Sequence, residues 1–411
     1  GTKSITGAGV CGIDMDVNKT LGVVNLGANL TFQNATADLN LIVGTINCVT
    51  FSLSVSGNLT QSAGTFTGGT GSIIISGIFT VNGGNFTSTS GILTSGNSFI
   101  VNAGAFIHNN GTVSLTGTTV TLLNGNFFNL ILNNAALVLT MTNNSVVNNA
   151  FTITAIQNLN SSNSSTIDVA GNIVFSDVSW SGSGKVLVNG TGTQTLSGAG
   201  VCGVAMDVNK SLGVVNLSSD LTFQNASSDL NLMAGTFNCV TFALNVSGDY
   251  NQISGNFNGG SSTINILGIF ALTAGTFTST NNNLTLGDNA SFASGVFVHN
   301  NGLVTLNGAT VSAVSGSFYQ LVLNNAAQVL TITNDLNVSN SLSVTDISAF
   351  NSTNNSSMKV SGNILFTDAS WSGSGKVTMN GAGAQSISGA GVCGVSLIEN
   401  KSSGILTLNS G

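Results

Sequence analysis

The 411 residues contain no proline, and charged side chains make up only 5% of them. A typical soluble domain is about a quarter charged and about 5% proline, so ordinary enzymes, nucleic-acid binders and coiled coils fit this chain poorly. Arginine is also absent: the seven basic residues are all lysine, set against 14 acids for a net charge of −7. Without the bidentate guanidinium fork, and with that sign, no nucleic-acid partner is expected. Apolar runs are cut by Asn or Gly well short of the roughly 20 residues a membrane-spanning helix needs, so no membrane insertion is expected either. The first residues carry no Met and no basic, apolar leader, so any export signal is expected to have been removed or to lie outside this stretch.

What the chain does contain is 52 Gly, 22 Phe and 42% hydrophobic residues, with Ser, Thr and Asn filling the rest. Short alternating stretches such as Ser72-Ile73-Ile74-Ile75-Ser76 and Val186-Leu187-Val188 hold enough apolar surface for a core, which excludes a disordered low-complexity chain. The shortage of charge and the wealth of β-branched residues argue against helices.

Internal repeats set the architecture. Gly7-Ala8-Gly9-Val10-Cys11-Gly12 returns at Gly198 and again at Gly389, a spacing of 191 each time. Cys48 and Cys239, His108 and His299, Trp180 and Trp371, and Lys185 and Lys376 keep the same offset, and 107 of the 191 aligned pairs are identical. The sequence therefore divides into the tail of a preceding unit (1–6), two full units (7–197 and 198–388) and the start of a third (389–411), expected to form one continuous solenoid.

A shorter period runs inside each unit. Gly44-Thr45-Ile46, Gly64-Thr65-Phe66, Gly84-Asn85-Phe86, Gly104-Ala105-Phe106 and Gly125-Asn126-Phe127 step by 20 or 21 residues. Three short strands separated by turns fit into each step, which is one coil of a β-solenoid. The expected fold is all-β, a parallel β-helix taken as right-handed, with about 20 residues per coil. Such a coil accounts for the composition. Like side chains stack at about 4.8 Å, where charges in register repel; proline would break the ladder; Gly and Asn suit the left-handed corners.

Phrases such as Gly104-Ala105-Phe106-Ile107-His108-Asn109-Asn110-Gly111-Thr112-Val113 and Phe318-Tyr319-Gln320-Leu321-Val322-Leu323-Asn324-Asn325 resemble the degenerate repeats of very large bacterial surface proteins. Those are similar in turn to the β-solenoid stalks of adhesins and autotransporters. The resemblance implies an exported, fibrous protein at a cell surface and carries over no active site.

Few residues suggest chemistry. β-Helix enzymes gather acids and bases on one face of the coil, but here Asp220, Asp249, Asp288 and Asp335 stand where the other unit has Asn29, Asn58, Asn97 and Asn144. General acid–base work needs the titrating group itself, so these positions read as turns and no enzyme is expected. Asp14-Met15-Asp16 is half of a calcium pattern that lacks further oxygen ligands and loses Asp14 to Ala205 in the next unit. Ser181-Gly182-Ser183-Gly184-Lys185-Val186 lacks the Ser or Thr and the helix of a phosphate loop. His108 and His299 each stand alone in their unit. No cofactor or metal is expected. Cys11 with Cys48, and Cys202 with Cys239, are spaced for a disulfide only if an irregular coil separates them; disulfide and buried thiol both stay open. Asn-X-Ser/Thr sequons leave glycans open as well.

These readings converge on a structural part of an extracellular or cell-surface fibre, stalk or sheath. The alternative is an adhesin recognising glycans or another surface, and the third reading is a polysaccharide-active enzyme. Copies of the chain itself are the expected partners. The turns at Trp180 and Lys185, and at Trp371 and Lys376, repeat every 191 residues rather than every coil, so they are expected to bulge outward or to touch neighbouring chains.

Overall fold

The computed structural model describes residues 1–7, 9–313 and 316–409, and none of these is helical. The chain divides into two compact units, Gly1–Val204 and Ala205–Gly411. Both are parallel β-solenoids of about 20 residues per turn. Within the first, Thr65–Thr67 pairs with Asn85–Thr87 and that with Ala105–Ile107, each partner 20 residues on. Ile73–Ile75 stacks on Leu53–Val55 and under Ile92–Ser95. Phe79–Val81 lies between Leu59–Gln61 and Phe99–Val101. Three such strand columns, hereafter the Thr65, Ile73 and Phe79 columns, enclose the interior. The second unit repeats the pattern with Thr236–Asn238, Asn256–Asn258, Thr276–Thr278 and Val296–Val298.

Alternation within these short strands decides what faces inward. In Thr65–Thr67 only Phe66 is buried, whereas in Phe79–Val81 both Phe79 and Val81 are. The inward phenylalanines then stack along the coil axis: Phe66 and Phe86 lie 4.3 Å apart at 7°, and Phe257 and Phe277 lie 4.4 Å apart at 8°. Phe79 meets Phe86 edge-on at 4.7 Å, so the columns interlock as offset and T-shaped pairs.

The glycine before each of these strands has a steric cause. Gly64 and Gly84 have φ of 81° and 74°, and a Cβ there would lie 2.2 and 2.0 Å from the carbonyl oxygen of the preceding corner glycine. Only Gly combines that backbone conformation with so close a coil-to-coil approach. The regular spacing of Gly-X-Phe is thus the corner made visible in the sequence.

Each unit also has an irregular early coil. Met15–Leu26 runs unbroken through a corner and pairs with Leu39–Asn47 with register shifts around Asn18. Ala205–Leu217 does the same against Leu230–Asn238.

Candidate functional site

Each of the four positions that exchange Asn for Asp makes the same bond in both units. Asn29 Oδ1 accepts the Ser52 N–H at 2.9 Å, and Asp220 Oδ1 accepts the Ala243 N–H at 2.8 Å. Asn58 and Asp249 accept the N–H of Ile78 and Ile269, both at 2.8 Å. Asn144 and Asp335 accept from Thr166 and Ser357 at 3.0 and 2.9 Å. Asn97 and Asp288 accept from the residue that follows each, Ser98 and Asn289, at 2.8 and 2.7 Å. The first three pairs reach the next coil. A single side-chain oxygen does the work, and amide and carboxylate supply it equally.

The acids retained in both units behave alike. Asp38 and Asp229 accept the N–H of Asn58 and Asp249 at 2.7 and 2.9 Å. Asp177 and Asp368 each hold two backbone N–H groups, of Ile156 and Ser179 and of Ile347 and Ser370. Asp16 and Asp207 accept from the Asn40 and Asn231 amides. Among the described residues no three His, Cys, Asp or Glu side chains gather where they could share a metal ion.

The tryptophans point inward, against the expectation of an outward turn. Trp180 is 3% exposed and its indole N–H donates to the Val201 carbonyl at 2.7 Å; Trp371, 8% exposed, donates to Val392 at the same distance. The physical reason is the ring itself: burying its large apolar body is favourable once its one donor finds a partner. The indoles thus spend their contact surface under the Gly-Ala-Gly-Val-Cys-Gly segments, of whose first copy Ala8 lies outside the described residues. Lys185 and Lys376 remain half-buried at the coil surface. Lys376 donates to the Asn355 side-chain carbonyl.

All five cysteines are free thiols. Cys48 and Cys202 are fully buried, and burial pushes each thiol up to about 12; Cys239 is pushed up further by the same cause. Thiols this resistant to ionisation are poor nucleophiles. Cys11 and Cys393 are half-buried and donate to the carbonyls of Ile13 and Val395. His108 and His299 accept the N–H of Asn110 and Asn301 through Nδ1 and lie against Phe128 and Tyr319. They are turn histidines.

One feature with concave geometry has no counterpart in any single sequence motif. A cleft of about 380 Å³ opens on the second unit, and Asp335, Lys359, Lys376, Thr378, Ile398 and Glu399 are among the residues that line it. Lys359 Nζ lies 2.7 Å from Asp335 Oδ2. Hydrogen bonding from Lys359, with the Ser357 N–H, holds the Asp335 carboxyl below the usual carboxylate range. Residues from consecutive coils build this cleft, so their sequence separations are those of the coil rather than of a motif.

No family model, curated protein or solved structure matches the chain.

Proposed function

We propose that the chain is a structural segment of an extracellular fibre, stalk or sheath at a cell surface, and that it carries out no catalysis. The observation that carries this reading is the double tie between coils. Backbone ladders join every coil to the next, and at the corners Asx side chains add further bonds along the same axis. Side chains elsewhere given to catalysis are here acceptors for backbone N–H groups, as the interchange of Asn with Asp supports. The near-absence of Lys and the lack of Arg leave few sites for trypsin-like proteases, and continuous ladders leave little loop to cleave. The resemblance to giant bacterial surface proteins places the fibre on a bacterial cell, and other copies of the chain are its partners.

The test is electron microscopy of native material combined with surface proteolysis of the producing cells. Filaments with an axial repeat of about 45 Å, one 191-residue unit at about 4.8 Å per coil, and persistence in trypsin are expected. Isolated compact particles recovered only from the cell interior would overturn the reading.

A further inference from the structure

In a chain with so few charges, four charged side chains surround the cleft on the second unit. Its floor is a column of outward residues. Lys359 in Met358–Val360 sits opposite Thr378 in Lys376–Met379, and Thr378 sits opposite Ile398 in Ser396–Glu399. Two lysines, one Asp and one Glu cancel to zero net charge. Two of the four are not neutralised by each other: Lys376 donates to the neutral Asn355 amide, and Glu399 makes no side-chain bond among the described residues. Ile398 is 40% exposed and offers an apolar patch beside them.

We infer that this cleft binds a neutral saccharide of about two rings. Sugar hydroxyls donate and accept at once, and the cleft provides ammonium donors, carboxylate acceptors and the Thr378 hydroxyl within one concavity. Zero net charge gives no preference for an ionic ligand, and an acidic sugar would meet Asp335 and Glu399. Ile398 can cover the C–H face of a ring. The volume lies at the lower end of the roughly 300–1,000 Å³ of small-molecule sites. With no aromatic ring in its lining, the cleft binds weakly.

The corresponding positions in the first unit do not reproduce it. Asn144, Asp168 and Leu187 stand where the second unit has Asp335, Lys359 and Thr378, so the ion pair and the floor hydroxyl are both missing there.

The experiment uses the full chain with cellobiose, lactose, maltose and N,N′-diacetylchitobiose as probes, read by saturation-transfer NMR and calorimetry at low and high salt. At least one probe binds, and its affinity is unchanged by salt. Glu399→Ala and Lys376→Met each weaken that binding about tenfold or more, the loss of a hydrogen bond to a charged group, with circular dichroism unaltered. Thr378→Leu, which installs the first unit's residue, weakens it less. Binding by none of the probes overturns the inference, as does binding that survives both charge variants. Binding only to a glucuronate-containing disaccharide, lost at high salt, replaces the neutral ligand with an acidic one. None of these outcomes bears on the fibre reading, which microscopy tests separately.

Discussion

The two units place the same buried glutamine in different company. Gln61 and Gln252 are both fully buried, and each Nε2 donates to two backbone carbonyls. In the second unit the Tyr250 hydroxyl, 2.9 Å away, donates to Gln252 Oε1. In the first unit the corresponding residue is Leu59, and Gln61 Oε1 has no partner. The balance reverses at another site: Ala37 is buried in the first unit, while Ser228 replaces it in the second and leaves its Oγ unsatisfied. One scaffold thus tolerates an orphaned polar atom in either unit, because the ladders around it are complete. Satisfying such atoms is a local matter that repeats independently of the coil.

The largest expected effect tests what the units share. Phe86→Asp and its counterpart Phe277→Asp each insert an unpaired carboxylate into the aromatic stack, which costs several kcal/mol. Both are expected to lower the melting temperature sharply by circular dichroism; an unchanged melt in either places that ring outside the core.

Tyr250→Phe comes next, because it recreates in the second unit the orphan that the first already has. Leaving Gln252 Oε1 unsatisfied should cost about 1–3 kcal/mol, measured by denaturant unfolding. An effect of zero would mean that the hydroxyl bond does not form in solution.

Ser228→Ala should act in the opposite direction. Removing a buried hydroxyl that has no partner, and restoring the alanine of the first unit, is expected to raise stability by about 1 kcal/mol. A loss of stability instead would show that Ser228 Oγ bonds to a group or a water that the packing leaves room for.

The smallest effect is the sharpest test of the corners. Asp249→Asn should be neutral within about 0.5 kcal/mol, since Asn58 makes the same bond in the other unit, whereas Asp249→Ala should cost about 1 kcal/mol. Equal costs for Asn and Ala would show that the charge, and not the acceptor, matters there.

The coil was legible because its causes recur. A glycine that must have positive φ and a phenylalanine that must fill the axis return every 20 residues, so period, strand number and inward face could be read together. The tryptophans were misread because a turn kept at 191-residue spacing looks like a surface device. Nothing in Ser179-Trp180-Ser181 shows that the Val201 carbonyl waits one coil on. The corner bonds had a signal in plain view, the exchange of Asn with Asp, although the sequence does not reveal which N–H receives them. The cleft had none. Asp335, Lys359, Lys376 and Glu399 become neighbours only through the stacking of successive coils, and each alone is an unremarked surface charge.

The corner acceptors also bear on chemical ageing. A protein that persists outside the cell slowly loses side-chain amide nitrogen by hydrolysis, turning Asn into Asp. At Asn29, Asn58, Asn97 and Asn144 that conversion would leave the accepting oxygen in place, and the second unit already carries Asp at the matching sites. What accumulates is negative charge, in steps of one coil, as with Asp229 and Asp249, where one carboxylate accepts the backbone N–H of the next acidic residue. Lifetime in such a material is then set by how much like charge a corner column can hold before repulsion between neighbouring coils exceeds the bonds that tie them, and salt in the surroundings extends it by screening.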